Sequence, residues 1–507
     1  MIKTESLLFL ANSLTKAEKK AFKIVSQRYN VAPGYLSLFN IISTKRNITA
    51  NNLKQEFLSK NNKTSFDITV NYLYKILLDT LLDLRKEQDS YYHLFNSIMK
   101  ARVLFEKSLF EDCFSLLDKI IQDSIRYENF HALLIASKLE LEYLLALNFP
   151  LMDEKALLAK HNRLIEILNF IRKINEQSSL YELLKYRISY FGNVRSAEQK
   201  LNLNDLVVSE ISILASSNLE NFEINKLHQL FQANYLISVG DYKSALRSYI
   251  ELNNLFEKNR HLWHNPPVYY LLTLEGVLDT LRTIRNYEGM NYFIEQLRKL
   301  KSPSVNFSAN VNCLIFLYEL FPFLDQGKYA LAAVHLETNG EAVFSKLQLL
   351  SLTRQAELCL YTSLVYFCNK DNKKAHKFLN TIILKGKDFH FLTLYRTIRL
   401  VNLMILNEFG DHNLIASEIR SIKREVKGYI KGYQIEKIML SYLNKLKEPI
   451  SNRTREILWQ KADGQLQLFR NDVFERQVLK IFDFTAWIES KIKKIALEDV
   501  IMNNTKK

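Results

Sequence analysis

The chain contains little glycine and proline, with 12 Gly and 7 Pro in 507 residues. Few positions are therefore available for tight turns, and the composition is neither that of a disordered chain nor that of a fibrous one. Leu, Lys, Glu, Ile and Asn dominate instead, and apolar residues recur every three or four positions. That period predicts a folded, almost wholly helical protein.

Cysteine is scarce, and the sequence never places two cysteines close together. The four cysteines stand singly among apolar residues, without the C-x-x-C spacing of a zinc site or a redox pair: Cys113, Cys313, Cys359 and Cys368. We expect all four to be small buried hydrophobic residues.

The short motifs of common enzymes are missing as well. The sequence has no G-x-x-x-x-G-K-[ST], G-x-S-x-G, G-x-G-x-x-G or H-E-x-x-H. His261 and His264 come nearest to a metal motif, but two histidines do not fill a tetrahedral shell, and Pro266 and Pro267 mark a loop. We expect a non-enzymatic protein with no catalytic residue, no metal site and no cofactor.

Long apolar runs are also absent. No segment approaches the roughly 18 consecutive apolar residues of a membrane span. The run "LLFLA" near the N-terminus is shorter than the ~7–15 residues of an export signal, and Thr15 and Glu18 have the spacing of a helix-capping box. We expect a first helix here, in a cytoplasmic protein that does not span a membrane.

What the sequence does contain is a recurring turn. In "GDYKSALRSY", Gly240 is followed at offsets +2, +5 and +9 by Tyr242, Ala245 and Tyr249, which share one helix face. A small residue at Ala245 lets two helices approach closely. Full or partial copies predict eight turns about 43 residues apart, room for two helices of about 17 residues each: Ser108, Pro150, Gly192, Gly240, Arg285, Gly327, Lys370 and Gly410.

This helix-turn-helix unit resembles the tetratricopeptide family, best over residues 227–257. The usual repeat of that family is ~34 residues, so these units would be extended ones. The resemblance implies a right-handed α-solenoid of about eight hairpins whose first helices line a groove. Its groove positions, six and three residues before each turn, fall on Asn234, Ile237, Asp279, Arg282, Phe321 and Leu324. Their mixed polarity suits a peptide more than a phosphate.

The whole chain also resembles a family of cytoplasmic proteins from Bacteroidota-type bacteria. The residues that carry this resemblance are "SLTKAEKKAFKI" (13–24), "GYLSLFNII" (34–42), "VNYLYKILLDTL" (70–81) and "FDFTAWIESKI" (482–492). It implies homology over the full length and no particular activity.

The positive charge is concentrated at the two ends of the chain. Of the net +15, residues 1–90 carry +6 and residues 417–507 carry +7. This asymmetry would favour docking onto a polyanion. Candidate contacts are two sets of basic residues on helices: Lys16, Lys19, Lys20 and Lys23 near the N-terminus, and Lys423, Arg424 and Lys427 near the C-terminus. Each set is either a solvated helix face or a surface that binds phosphates of RNA, DNA or a ribosome.

Residues 34–87 predict three helices, with Thr49 and Asp67 as N-caps. Only Asn71, Lys75, Asp79 and Asp83 are expected to point outward from the third helix, a poor match to a helix that reads DNA bases. A winged-helix-like interaction domain fits better.

Near the other end, Trp487 would either close the last hydrophobic face of the array or anchor a partner.

Together these features predict three domains: an N-terminal helical domain (1–90), an array of helical hairpins (91–416) and a basic C-terminal helical cap (417–507). The function we expect is that of an adaptor or scaffold that binds a protein or peptide in the groove. The alternatives are a factor that docks onto nucleic acid or the ribosome through its basic ends, and a regulator that senses a signalling peptide. The sequence does not determine the oligomeric state.

Overall fold

The computed structural model describes residues 3–28, 33–45, 48–61, 65–86, 89–150, 152–192, 194, 197–215, 221–389, 392–426, 434–445, 452–472 and 475–505. Over these residues the regular structure is helical, without a β-strand, so the all-α prediction is confirmed. The chain divides into two compact units. The first contains residues 1–174, 259–268 and 302–308, and the second contains residues 175–258, 269–301 and 309–507.

The helices up to residue 191 are α1 (Lys3–Ser13), α2 (Lys16–Arg28), α3 (Pro33–Thr44), α4 (Ala50–Lys60), α5 (Phe66–Arg85), α6 (Ser90–Glu106), α7 (Phe110–Arg126), α8 (Phe130–Ala146) and α9 (Glu154–Phe191). The next are α10 (Ala197–Leu201), α11 (Asn204–Ala215), α12 (Phe222–Val239), α13 (Tyr242–Lys258), α14 (Val268–Thr283), α15 (Tyr287–Lys299), α16 (Val305–Asp325), α17 (Tyr329–Phe344) and α18 (Leu352–Cys368). The chain continues with α19 (Asn372–Ile383), α20 (Gly386–Phe389), α21 (Thr393–Phe409), α22 (His412–Val426), α23 (Gln434–Lys445), α24 (Asn452–Asn471), α25 (Arg476–Leu479), α26 (Phe484–Lys493) and α27 (Leu497–Thr505).

One turn geometry joins many of these helices. A residue with positive φ ends the first helix and donates its N–H to the carbonyl three residues back, and the next residue donates to the carbonyl five back. These two hydrogen bonds satisfy carbonyl groups that the end of a helix leaves unpaired. The residues with positive φ in these turns are Ser108, Glu128, Asn148, Gly240, Arg285, Gly327, Lys370 and Gly410. Six of the predicted turn residues are thus confirmed as turns.

The second helix of such a pair starts directly after the turn. In five pairs the residue after the left-handed one is Asn or Asp, and its side-chain oxygen accepts the N–H three residues on at 3.0–3.1 Å: Asn129, Asp241, Asn286, Asp371 and Asp411. These side chains cap the second helix. Ala245, predicted to let two helices approach, is fully buried, and so are Ala332 and Ala375, which lie five positions after Gly327 and Lys370.

The structure corrects the prediction at three turns. Near Pro150 the left-handed residues are Asn148 and Phe149. The turn at Glu128 was not predicted, because neither its sequence nor its spacing matches the motif. Gly192 has positive φ, but α9 runs unbroken for 38 residues before it, where we expected two helices. No glycine or proline interrupts Glu154–Phe191, so nothing in the sequence ends the helix there.

Helices α1–α5 share a hydrophobic core of their own, to which Leu7, Phe22, Phe39, Phe57 and Leu73 contribute. The capping box is confirmed: the Glu18 carboxylate accepts the Thr15 N–H at 2.8 Å, and the Thr15 hydroxyl accepts the Glu18 N–H at 3.2 Å.

Two predictions for the third helix of residues 34–87 need correction. Thr49 caps α4 as predicted, but Asp67 lies inside the first turn of α5, where Ser65 holds the N-cap position. The outward face of α5 also carries exposed apolar side chains, namely Ile68, Tyr72 and Leu82.

Within the described residues, one helix is long and apolar enough to cross a membrane by length and composition. This helix is α16, and 61% of its most apolar stretch is buried inside the structure. Such burial is typical of a core helix in a folded protein, and it is consistent with the expected absence of a clear membrane span.

Candidate functional site

Several charged residues of the second unit lie together on one face formed by α14, α16 and α18. Arg282 on α14 is 3% exposed. Its guanidinium donates to both carboxylate oxygens of Asp325 at 2.8 Å and to the Tyr361 hydroxyl at 3.1 Å. The ring of Phe321 lies 3.6 Å from the guanidinium carbon. Burial disfavours the charged form, but Asp325 and Tyr361 hold the pKa of Arg282 well above its usual value.

A second ionic group lies on the same three helices. Arg354 on α18 donates to Glu275 on α14 at 2.6 Å and to Glu357 on its own helix at 2.6 Å. The Tyr318 hydroxyl of α16 donates to the Glu275 carbonyl at 3.3 Å. Burial raises the pKa of Glu357, and the neighbouring Arg354 opposes that rise. The three helices are therefore joined by side-chain bonds across their faces as well as by apolar packing.

Residues 475–483, here called the connector, lie against this face. Lys480 donates to both carboxylate oxygens of Asp279 at 2.8 Å, and its carbonyl accepts a hydrogen bond from Arg282 at 2.8 Å. Gln477 donates to the Ser238 carbonyl at 3.4 Å, at the end of α12. The connector is thus bound through side chains and main chain to two helices distant in sequence.

Both ends of the connector are fixed by helix N-termini. The buried Glu475 accepts the N–H groups of Gln434 and Ile435, at 2.7 and 3.1 Å, at the start of α23. Asp483 caps α26 by accepting the Ala486 N–H at 2.9 Å. These contacts satisfy the unpaired donors of two helices and favour the negative charge of each carboxylate.

Beyond the connector, α26 and α27 pack against the hairpins. Ala486, Val500 and Ile501 form a core with Tyr329, and Leu324 packs against it. Trp487 is 1% exposed. Of the two interpretations offered for it, closure of a hydrophobic face by its own chain agrees with this burial.

A solvent-accessible contact joins α9 and α12. Lys185 on α9 donates to the Asn234 side-chain oxygen of α12 at 3.2 Å. The Lys185 side chain is reached by solvent, yet burial lowers the pKa of its ammonium, and Glu275 opposes that shift. Lys185, which is exposed, and Asn234, which is half-buried, are here called the open recess.

The predicted groove residues have different environments in the structure. Asp279 and Arg282 contact the connector, and Asn234 lies in the open recess. Phe321 is buried beneath Arg282, so it is not exposed to a partner as we expected. Leu324 belongs to the core with α26 and α27, and Ile237 is half-buried near the end of α12.

Sequence reasoning missed most of the ionic partners on this face. Asp325, Arg354 and Tyr361 each lie in apolar helical stretches, where a charged or hydroxyl group signals a buried bond. That signal was available and was not used. Lys480 has no comparable local signal, because its partner Asp279 is 201 residues away.

The predicted polyanion contacts lie on two helices. On α2, Lys16, Lys20 and Lys23 are exposed and Lys19 is half-buried. On α22, Lys423 and Arg424 are exposed, while Lys427 lies outside the described residues. Some C-terminal positive charge is neutralised within the chain, since Lys491 pairs with Glu408 at 2.5 Å and Arg470 with Glu489 at 2.9 Å.

No group of three or more His, Cys, Asp or Glu side chains among the described residues has a metal-binding arrangement. The cysteines are free thiols: Cys113, Cys313 and Cys359 are buried as expected, whereas Cys368 is half-buried. Burial raises the pKa of Cys313 and of Cys368 to about 12. Both thiols are therefore protonated and weakly nucleophilic at neutral pH.

Comparison with known proteins finds no match: no protein-family model, no curated protein and no solved structure is similar to this chain. The arguments about function therefore come from its own residues and geometry.

Proposed function

We propose that this protein is a non-enzymatic adaptor or scaffold whose hairpins form an extended tetratricopeptide-like solenoid, and that it binds a peptide segment of a protein partner on the face of α12, α14, α16 and α18. The observation that carries the proposal is the mode of binding of Lys480. The Asp279 carboxylate accepts hydrogen bonds from the Lys480 ammonium, while the Arg282 guanidinium donates one to the Lys480 main-chain carbonyl. Recognition of a side chain together with a main-chain group is one way in which proteins bind peptide segments.

The open recess supports the same proposal. A protonated lysine in partly enclosed surroundings costs free energy, as the lowered pKa of Lys185 indicates. An incoming carboxylate or main-chain carbonyl would offset that cost. Asn234 offers a side-chain amide beside it, and such an amide bonds to peptide groups. The recess therefore extends the peptide-binding face beyond the part that the connector covers.

Site-specific photo-crosslinking tests this function. A photoreactive phenylalanine analogue replaces Asn234 in the open recess, and a matched control carries it at Lys243, an exposed position of α13. We expect defined polypeptides to crosslink at position 234 and not at 243, and to resist nuclease and moderate salt. Equal labelling at both positions, or labelling that nuclease removes, would contradict the proposal.

A second candidate function is docking onto nucleic acid or the ribosome. The observation in its favour is the exposed face of Lys16, Lys20 and Lys23 on α2. Binding through phosphates weakens steeply with salt, and each phosphate-contacting lysine that is removed lowers the slope of log K against log salt by about 1. Replacing these three lysines by glutamine would therefore flatten the salt dependence if this function holds. The third candidate, a peptide-sensing regulator, would use the same peptide-binding face.

A further inference from the structure

The connector contains the short helix α25 and a turn that follows it, and its contacts with the peptide-binding face follow one another along the chain. Gln477 contacts Ser238 at the end of α12, and Lys480 contacts Asp279 and Arg282 on α14. The Phe482 ring then lies perpendicular to Phe367 of α18, with ring centroids 6.5 Å apart. A stretch of six residues therefore contacts three helices, α12, α14 and α18.

We infer that residues 477–482 occupy the binding site of the partner's peptide in the isolated chain. The partner then carries a segment of the same chemistry, with an apolar residue, a lysine and an aromatic residue at every second position. In the connector these are Val478, Lys480 and Phe482. This inference rests on the proposed function and adds to it the class of partner and a form of self-regulation.

The chemistry at each position follows from the residues that receive it. The carboxylate of Asp279 selects a positively charged side chain, and the Arg282 guanidinium can donate to the main-chain carbonyl of any residue there. Val478 and Phe482 are both buried, so a segment that replaces them must bury apolar and aromatic surface of similar size. A purely acidic or uncharged polar peptide would offer Asp279 no positive charge and would bury no apolar surface at the positions of Val478 and Phe482.

The contact at Lys480 is the exchangeable one. The side chains of Asp279 and Lys480 are 31% and 22% exposed, so water and an incoming lysine reach the pair. Ion pairs at such positions contribute little net stability, because solvent screens them. By contrast, the bonds of Arg282 to Asp325 and Tyr361 are buried and involve no residue of the connector.

The anchors at Glu475 and Asp483 allow the stretch between them to leave without unfolding the domain. Each anchor bonds to the start of a different helix, α23 or α26, and neither takes part in the contacts with α12 or α14. A tethered segment competes at an effective concentration in the millimolar range. The intact chain should therefore bind a free peptide weakly, and a chain with a weakened connector should bind it more strongly.

The experiment uses the full chain and a fluorescein-labelled peptide of residues 475–484, "ERQVLKIFDF", with binding followed by fluorescence anisotropy. We expect Lys480→Gln to bind the peptide about two- to fivefold more tightly than the unaltered chain, the gain that loss of a solvent-screened ion pair supports. Gln477→Ala, a milder change that removes one hydrogen bond, should give a smaller gain. The matched control is Lys491→Gln, which breaks the ion pair with Glu408 and should leave peptide affinity unchanged.

Two further changes test the chemistry. A peptide in which glutamine replaces the lysine should lose the gain in affinity, and so should the double variant Lys480→Gln with Asp279→Asn.

If Lys480→Gln and Gln477→Ala keep a native circular dichroism spectrum and neither binds the peptide more tightly than the intact chain, the inference is wrong. If crosslinking at Asn234 still captures polypeptides in that case, the proposed function stands and the partner uses the open recess alone. If that crosslinking fails as well, both are wrong.

Discussion

The ammonium of Lys480 lies 2.8 Å from both carboxylate oxygens of Asp279, a residue 201 positions earlier in the chain. This bond brings the C-terminal connector onto the face of the hairpin helices where we had expected a partner. The same face holds the buried Arg282, so accessible and inaccessible ionic bonds lie side by side. Their different exposure leads to different expectations for stability and for binding.

Removal of the Arg282 guanidinium should destabilise the second unit strongly. Arg282→Met leaves the Asp325 carboxylate without the ion pair it makes in the interior, and breaking a buried pair costs about 3–5 kcal/mol of the free energy of unfolding. Urea unfolding monitored by circular dichroism measures the loss. Arg298→Met is the control, since that exposed arginine pairs with Glu295 and Glu319 at the surface and should cost less than about 1 kcal/mol. Equal losses would contradict the buried pairing.

The left-handed turns predict opposite effects of two substitutions. Gly410 has a φ of +74° and no atom near the position of an added Cβ, so Gly410→Ala should cost about 1–2 kcal/mol through backbone strain alone. Lys370 holds a φ of +65° with a side chain present, so Lys370→Gly should relieve strain and stabilise the fold. Thermal unfolding of both variants gives the comparison. Shifts of the same sign would show that φ is not the cause.

A close helix contact depends on Gly276. A Cβ at this position would lie 2.2 Å from the ring of Tyr249, which packs against α14. We expect Gly276→Ala to cost about 1–3 kcal/mol despite the better helix propensity of alanine, because the tyrosine must move. Gly464→Ala on α24 meets no atom within 4 Å and should stabilise by about 0.5–1 kcal/mol. A stabilising Gly276→Ala would rule out the contact.

The stability of the protein should also depend on pH through Lys185. Burial lowers the pKa of its ammonium below the usual 10.5, so the folded state binds fewer protons than the unfolded state between the lowered pKa and 10.5. The free energy of unfolding therefore gains a contribution that rises with pH through this window, and protonated Lys185 is a cost at neutral pH.

Lys185→Met should remove that rise and stabilise the protein at pH 7, as measured by urea unfolding at several pH values. Lys243→Met, at an exposed site on α13, serves as the control and should change little. If Lys185→Met is destabilising at pH 7, its bond to Asn234 outweighs the cost of burial.

The turns could be predicted because their chemistry is local. A left-handed residue, an Asn or Asp cap and a small residue five positions after the turn lie within a few residues of one another, as at Gly240, Asp241 and Ala245. The unbroken α9 was missed because a regular spacing was imposed on residues 154–191, which contain no helix breaker. Glu128 was missed because it lies only 20 residues after Ser108 and because Leu133 stands five positions after it in place of a small residue.

By itself the sequence determined the helical class, six of the turns and the buried face of the second helices, since these follow from periodicity and from backbone preferences within a few residues. Only the tertiary structure decided which residues meet across the hairpins. The bonds of Asp279 to Lys480 and of Arg282 to Asp325 join residues 201 and 43 positions apart. Such pairs depend on how whole helices pack, and the local sequence does not show which residue a charged side chain meets. The contacts of Asp279 and Arg282 with the connector were therefore beyond prediction, and the role of Asn234, Asp279 and Arg282 in binding a partner stays a prediction.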